Sequence, residues 1–164
     1  KQEVYQEYQK LHGVNWEIHK PEKDETDTEL AIDTAMRMGA KSITILGGTG
    51  GRIDHLLGNI HLLDTCLSKG VFACMVDTQN KIYLLKEGKT FEKAQTWGTY
   101  ISFLPLTETV TGITLKGFKY PLTNRNIAMG REAGLCISNE LVADFGSITC
   151  SSGILICIES CDQR

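Results

Sequence analysis

Residues 42–55 read Ser-Ile-Thr-Ile-Leu-Gly-Gly-Thr-Gly-Gly-Arg-Ile-Asp-His, and this stretch decides the fold. Ser42–Leu46 is a short apolar run of the kind that forms a buried parallel strand. The glycine loop 47–51 follows, and then Ile53, Leu56, Leu57, Ile60, Leu63 and Leu67 recur at helical spacing. A strand that passes through a glycine loop into a helix is the repeating unit of an open α/β sheet. Ligands of such sheets bind beyond the carboxyl ends of the strands.

The flanks extend the same pattern. Upstream, 26–38 is predicted helical, with Leu30, Ala31, Ala35 and Met38 as its apolar stripe and Gly39 at the C′ position. Before it, 1–12 reads as a helix ended by Gly13, and Val14–His19 as a strand whose exit is kept extended by Lys20 preceding Pro21. Downstream, 71–76 is a second buried strand. Residues 1–78 are therefore expected to form a parallel-sheet α/β domain. After Asp77 the pattern changes to short β-rich runs at 82–85, 99–104, 109–115, 135–139 and 154–159, with Gly, Pro or Asn between them. Residues 79–164 are expected to form an antiparallel β-sandwich.

Bulk properties narrow the function. A chain of 164 residues with 41% hydrophobic content sustains a core without metals or disulfides. The net charge of −3 offers no positive field for nucleic acid or an anionic membrane surface. No apolar run approaches the roughly 20 residues that span a bilayer. The first residues, Lys-Gln-Glu-Val-Tyr, are not expected to be a signal peptide. None of the six cysteines forms a C-x-x-C pair, and in a chain with a real core they read as buried thiols of a reducing, cytoplasmic compartment. Small molecules or other protein chains are the expected partners.

Two segments carry the chemistry. In the first, Gly47, Gly48, Gly50 and Gly51 let backbone N–H groups approach a phosphate, and the start of the following helix adds partial positive charge. Arg52 supplies a planar cationic fork for phosphate oxygens. No Gly-Lys-Ser/Thr follows, so this is not a P-loop, and Ile53 occupies the third glycine position of the dinucleotide fingerprint. A plain glycine turn with a solvent-facing Arg52 is the competing reading. Asp54 beside a phosphate loop would repel the phosphate unless a metal intervened, whereas His55 fits a surface role. The second segment, 23–29, packs four carboxylates into Lys-Asp-Glu-Thr-Asp-Thr-Glu. Thr26 and Glu29 fit a helix capping box, which explains much of it without any ligand. Alternatively, one or two of these acids reach the same cleft and hold magnesium, which at phosphate sites takes one or two carboxylates.

In combination, Lys-Asp-x-Thr-Asp-x-Glu at 23–29 and Gly-Gly-Arg-x-Asp-His at 50–55 resemble the thiamine pyrophosphokinase family in its bacterial form. Gly117-Phe-Lys-Tyr-Pro-Leu122 resembles that family's Gly-x-x-Tyr-Pro-Leu, and Ser138-Asn139-Glu140 its Ser-Asn-Glu. The resemblance implies an α/β domain followed by a β-sandwich, working as a homodimer with active sites between subunits. It implies transfer of a pyrophosphoryl group from ATP to thiamine, giving thiamine diphosphate and AMP. Carried over by position, Asp27 and Asp54 become magnesium ligands, and Asp54 also acts near the alcohol. Lys23, Arg52, His55 and the glycines Gly47, Gly48, Gly50 and Gly51 belong to the polyphosphate side. Ser138 and Asn139 help form the thiamine pocket. Phe145 and Trp97 are expected to pack in the core rather than against the substrate. The family's Asp-Gly-Gly and Gly-Asp-x-Asp-Ser segments precede anything in this chain, so it is expected to lack the N-terminal part of the catalytic domain and to carry half of the metal site. The rival readings are a diphosphokinase acting on a hydroxymethylpterin and a non-catalytic sensor of nucleotide or thiamine diphosphate.

Overall fold

The computed structural model describes residues 24–162. The helix expected over 1–12, the strand expected at 14–19, and Lys23 lie outside them. Helix α1 runs Asp27–Arg37, and its N-cap Thr26 accepts a hydrogen bond from Glu29 N–H at 3.2 Å through Oγ1. Gly39 closes the helix in the left-handed region at φ 85°, which glycine adopts without a Cβ penalty. Strand β1 (Ser42–Leu46) leads through the glycine loop into α2 (Ile53–Ser68), and β2 (Phe72–Val76) lies parallel to β1.

The remaining strands are β3 (Asn80–Leu85), β4 (Gly88–Glu92), β5 (Tyr100–Pro105), β6 (Thr109–Lys116), β7 (Leu122–Ala128), β8 (Phe145–Thr149) and β9 (Leu155–Ser160). Among the described residues these nine strands make two sheets, ordered β1-β2-β3-β9-β5 and β4-β8-β6-β7. Among these described strands only the β1–β2 pair is parallel, and the other pairings are antiparallel. The α/β layer and the sandwich share the five-stranded sheet, which continues through the β2–β3 turn.

Side-chain alternation along the shared sheet builds two cores. Ala73, Met75, Ile82, Leu84, Ile156 and Ile158 face the helices, where Ile32, Leu63 and Cys66 meet them. The intervening Cys74, Tyr83, Leu155 and Cys157 face the second sheet and join Val110, Ile113, Leu115, Ile127 and Ile148. Period-two alternation with both faces covered makes this sheet the middle of three layers. Phe91, Phe103 and Phe118 form an edge-to-face triangle between the sheets, with centroids 5.9–6.0 Å apart. A buried polar link also crosses the layers. Tyr83 OH donates to Glu159 Oε1 at 2.6 Å, Lys89 Nζ donates to Tyr83 OH at 2.7 Å, and Trp97 N–H donates to Glu159 Oε2 at 2.7 Å.

Three sequence expectations are corrected. In α1 the inward face is Ile32 and Met36, while Met38 is exposed, because apolar residues lie all round this helix and the stripe through its small alanines is not the one that packs. In α2, Ile53 is 72% exposed and Leu57 also points outward, while Leu63 and Cys66 are buried. The stretch 135–139 is not a strand: a 3-10 turn spans Ala133–Cys136, and Ser138 at φ 53° breaks the extended run, leaving a single bridge from Asn139 to Ile101.

Candidate functional site

The glycine loop leaves the carboxyl end of β1 and enters α2 through Arg52 as N-cap. Gly47 has φ 74°, where a side chain would be strained. Gly48 is seated on the sheet: a Cβ there would stand 3.0 Å from Ile45 Cγ2 and 3.2 Å from Met75 Sδ. Gly50 and Gly51 differ, since a Cβ at either would meet nothing within 4 Å and neither has positive φ.

At the start of α2, Arg52 and Asp54 form an exposed two-point ion pair, Nε to Oδ1 at 3.1 Å and NH2 to Oδ2. Asp54 Oδ1 also accepts from the backbone N–H of His55 at 3.0 Å. The hydrogen bond from Arg52 holds the Asp54 carboxyl below its usual value, and the same bond raises the Arg52 guanidinium. Asp54 therefore stays ionised through mild acid.

The two sequence segments meet. Thr26 and Glu29, from the start of α1, line a cleft of about 280 Å³ together with Asp54, His55, Gly58, Asn59 and Leu62 of α2. Asp27, expected from the sequence to share a metal with Asp54, is the first residue of α1 and is not among the residues that line this cleft. Among the described residues no three His, Cys, Asp or Glu side chains cluster as a metal site. The oxygen donors of Asp54 and Glu29 are of the hard type that suits magnesium held partly by phosphate oxygens and water.

Asn59 and Asp77 escaped the sequence reading, and Glu29 entered it only as a cap and as one of four acids. Glu29 lines the cleft as well as ending the acidic motif; its place in that motif was the available signal. Asn59, 7% exposed on the inward face of α2, donates from Nδ2 to the Gly48 carbonyl at 2.9 Å. An amide interrupting the apolar face of a helix was its signal. Asp77, at the carboxyl end of β2, accepts from Gln79 N–H at 2.7 Å and Asn80 N–H at 2.6 Å. Burial pushes its carboxyl up, but hydrogen bonds from Gln79, Thr49 and Asn80 together hold it below its usual value.

The second motif pair occupies the other edge of the shared sheet. Asn139 is 1% exposed, and its carboxamide is bonded at both ends: Oδ1 accepts from Tyr120 N–H and Glu140 N–H, each at 3.0 Å, and Nδ2 donates to Tyr120 O at 2.8 Å. Gly117, at φ 76°, is packed so closely that a Cβ would stand 2.3 Å from Phe145 O, and its carbonyl accepts from Val142 N–H at 3.0 Å. The Gly-x-x-Tyr-Pro-Leu and Ser-Asn-Glu motifs are thus hydrogen-bonded neighbours. Ser138 N–H donates to Ser102 Oγ at 2.9 Å, leaving its hydroxyl exposed. A cleft of about 300 Å³ beside them is lined by Trp97, Thr99, Ile101, Glu140 and Leu141, among others. Trp97 and Phe145 are not core residues: Phe145 is 61% exposed, and the Trp97 ring is partly open to solvent.

The two edges lie on one row across the sheet, Leu46–Val76–Lys81–Glu159–Ile101–Asn139. Both motif pairs are therefore at the same end, separated by five strand spacings, or roughly 24 Å at about 4.8 Å each.

Fold and site together define a protein with an α/β layer ending in a glycine-loop cleft and a sandwich carrying a second cleft. Two family models match it: "Thiamin pyrophosphokinase, catalytic domain" over residues 1–75 and "Thiamin pyrophosphokinase, vitamin B1 binding domain" over residues 89–155. The chain is 42% identical over 145 residues to thiamine pyrophosphokinase of Bacillus subtilis, covering 88% of this chain and 67% of that protein. Crystal structures of thiamin pyrophosphokinase from Geobacillus thermodenitrificans (39% identical, TM-score 0.81, covering 99% of this chain and 73% of that one) and of a thiamin pyrophosphokinase family protein from Enterococcus faecalis (30% identical, TM-score 0.82, covering 99% and 76%) share its fold. The chain belongs to the thiamine pyrophosphokinase family. It spans about two thirds of the length of the Bacillus subtilis relative. These matches do not favour the pterin and sensor alternatives.

Proposed function

We propose that the chain supplies the phosphate cleft and the thiamine-binding sandwich of an enzyme that transfers a pyrophosphoryl group from ATP to thiamine. The observation that carries this reading is the open flank of Gly50 and Gly51. Nothing among the described residues requires glycine there, whereas a phosphate drawn onto the backbone at the start of α2 would. In the reaction the thiamine alcohol oxygen bonds to the β-phosphorus, the bond from that phosphorus to the oxygen of the α-phosphate breaks, and AMP departs. The alcohol loses its proton.

Such a transfer depends on positioning and charge neutralisation. Arg52 faces the polyphosphate, His55 and the glycines bind it, and Lys23 belongs to the same side by its motif. Asp54, kept ionised by Arg52, orients the alcohol or takes its proton. Asp27 and Asp54, with Glu29 beside them, would hold magnesium, whose charge neutralises phosphate oxygens when bound. On the sandwich, Ser138 offers its hydroxyl to thiamine, and Asn139 acts by fixing the backbone of Tyr120. Trp97 gives the neighbouring cleft a flat π-face that suits a cationic aromatic ring, and the carboxylate of Glu140, which also lines it, is paired with Lys119 Nζ at 2.8 Å.

The separation of roughly 24 Å supports a homodimer. A two-ring substrate held at Ser138 cannot bring its alcohol within the ~3–3.5 Å attack distance of a phosphate on the same chain's loop. Ser138 of one protomer facing Arg52 of its partner closes that gap. All six cysteines are free, which fits a cytoplasmic enzyme.

The full-length protein incubated with magnesium, ATP and thiamine is expected to release AMP and thiamine diphosphate in equal amounts. ADP release, or turnover with a hydroxymethylpterin in place of thiamine, overturns the reading. Absence of turnover favours the sensor. Mixing two inactive variants, Arg52→Ala and Ser138→Leu, tests the dimer. Shared sites restore roughly a quarter of parental activity in the exchanged population, because one site of each mixed dimer is intact. No restoration places both residues in a single-chain site.

A further inference from the structure

We infer that Asn59 is a positioning residue that holds the glycine loop in its phosphate-accepting shape and thereby sets ATP affinity. The inference rests on the phosphotransfer reading of the loop and goes one step beyond it, to a side chain outside the motifs. Asn59 lies on the face of α2 otherwise occupied by Leu63, Cys66 and partly buried Leu56 and Ile60. An apolar side chain there would serve packing alone, and a buried amide is retained at a cost unless it is bonded. Its Nδ2 is bonded, 11 residues back in sequence, to the Gly48 carbonyl at 2.9 Å.

The direction of that bond matters. In a trans peptide the carbonyl and the following N–H point opposite ways. Drawing the Gly48 carbonyl toward α2 therefore turns the Thr49 N–H to the opposite face, as a donor for an incoming phosphate oxygen. The same contact seats Gly48 against Ile45 and Met75, where a Cβ would be crowded and where its Nδ2 stands 3.5 Å from the ideal Cβ position. A second hold comes from Asp77, whose carboxyl engages Thr49 from the end of β2. Asn59 also lines the cleft between the starts of α1 and α2.

The test compares Asn59→Leu and Asn59→Ala with the full-length parent; Ala keeps the helix should Leu fold poorly. Backbone hydrogen exchange of peptides covering 47–52, measured without ligand, is expected to speed up by roughly five- to thirtyfold in both variants, the scale of one lost buried hydrogen bond. KM for ATP is expected to rise by a similar factor, with kcat within about threefold and KM for thiamine unchanged. Asn59→Gln, which keeps the donor, is expected to recover part of both effects. Unchanged loop exchange overturns the inference, as does an equal rise in both KM values, which marks general damage. If the parent releases no AMP from ATP and thiamine, the proposed function fails while the exchange comparison still decides the clamp.

Discussion

Among the described residues, the two outer edges of the shared sheet solve opposite problems. At the β1 edge, Arg52 and Asp54 are exposed and bonded to each other, and Gly50 and Gly51 stand open. At the β5 edge, Asn139 is buried with three hydrogen bonds between its carboxamide and neighbouring backbone, and Gly117 is wedged against Phe145 O. The first edge keeps its polar groups available to a ligand. The second spends them on holding the Tyr120 and Ser138 backbones in place. Motif residues at one edge are therefore about binding, and at the other largely about shape.

The largest effect that sharpens this contrast is expected at Asn139. Asn139→Leu removes three side-chain hydrogen bonds from a buried position and takes the side-chain acceptor away from the Tyr120 and Glu140 N–H groups. A loss of about 3 kcal/mol in urea-denaturation stability is expected; a loss under about 0.5 kcal/mol would show that the second edge is not shape-determining. Next, Arg52→Ala is expected to leave the urea midpoint unchanged, since both partners of its ion pair are exposed, while lowering kcat/KM for ATP on the order of a hundredfold. A shifted midpoint with unchanged kinetics would reverse the contrast. The smallest effect lies at the joint between the edges. The Asp77 carboxyl is held below its usual value in the folded chain, so the stability it contributes is fully present above the unfolded value near pH 3.9 and is lost as pH falls through the folded one. Asp77→Asn is expected to flatten that acid limb in a urea-midpoint series from pH 6 to pH 2; an unaltered limb would remove Asp77 from the account.

The residues that wrote their structure most plainly were those with one strong local cause. Strand β1 runs Ser42–Leu46 as expected, Thr26 caps α1, and Gly39 ends it at positive φ. The strands that went unread are β4 (Gly-Lys-Thr-Phe-Glu), β7 (Leu-Thr-Asn-Arg-Asn-Ile-Ala) and β8 (Phe-Gly-Ser-Ile-Thr). Their polar and glycine content hides the period, and β7 is an edge strand that buries only Ile127. At the site, the glycine loop and the acidic segment were legible as motifs because their chemistry is local. Asn59 and Asp77 were not, because each earns its role from a partner on another element, Gly48 and Thr49. The separation of Ser138 from Arg52 was equally hidden, since it follows from strand order, which sequence patterning does not encode.

The strand order also governs when this molecule can fold. β9 sits between β3 and β5, and Ile156 and Ile158 complete one core while Leu155 and Cys157 complete the other. Of the described strands, the one synthesised last is thus the one shared by both cores. Ribosome-bound chains ending before Leu155 are expected to stay open to protease in the helical layer as well as in the sandwich, with both becoming resistant together once β9 emerges.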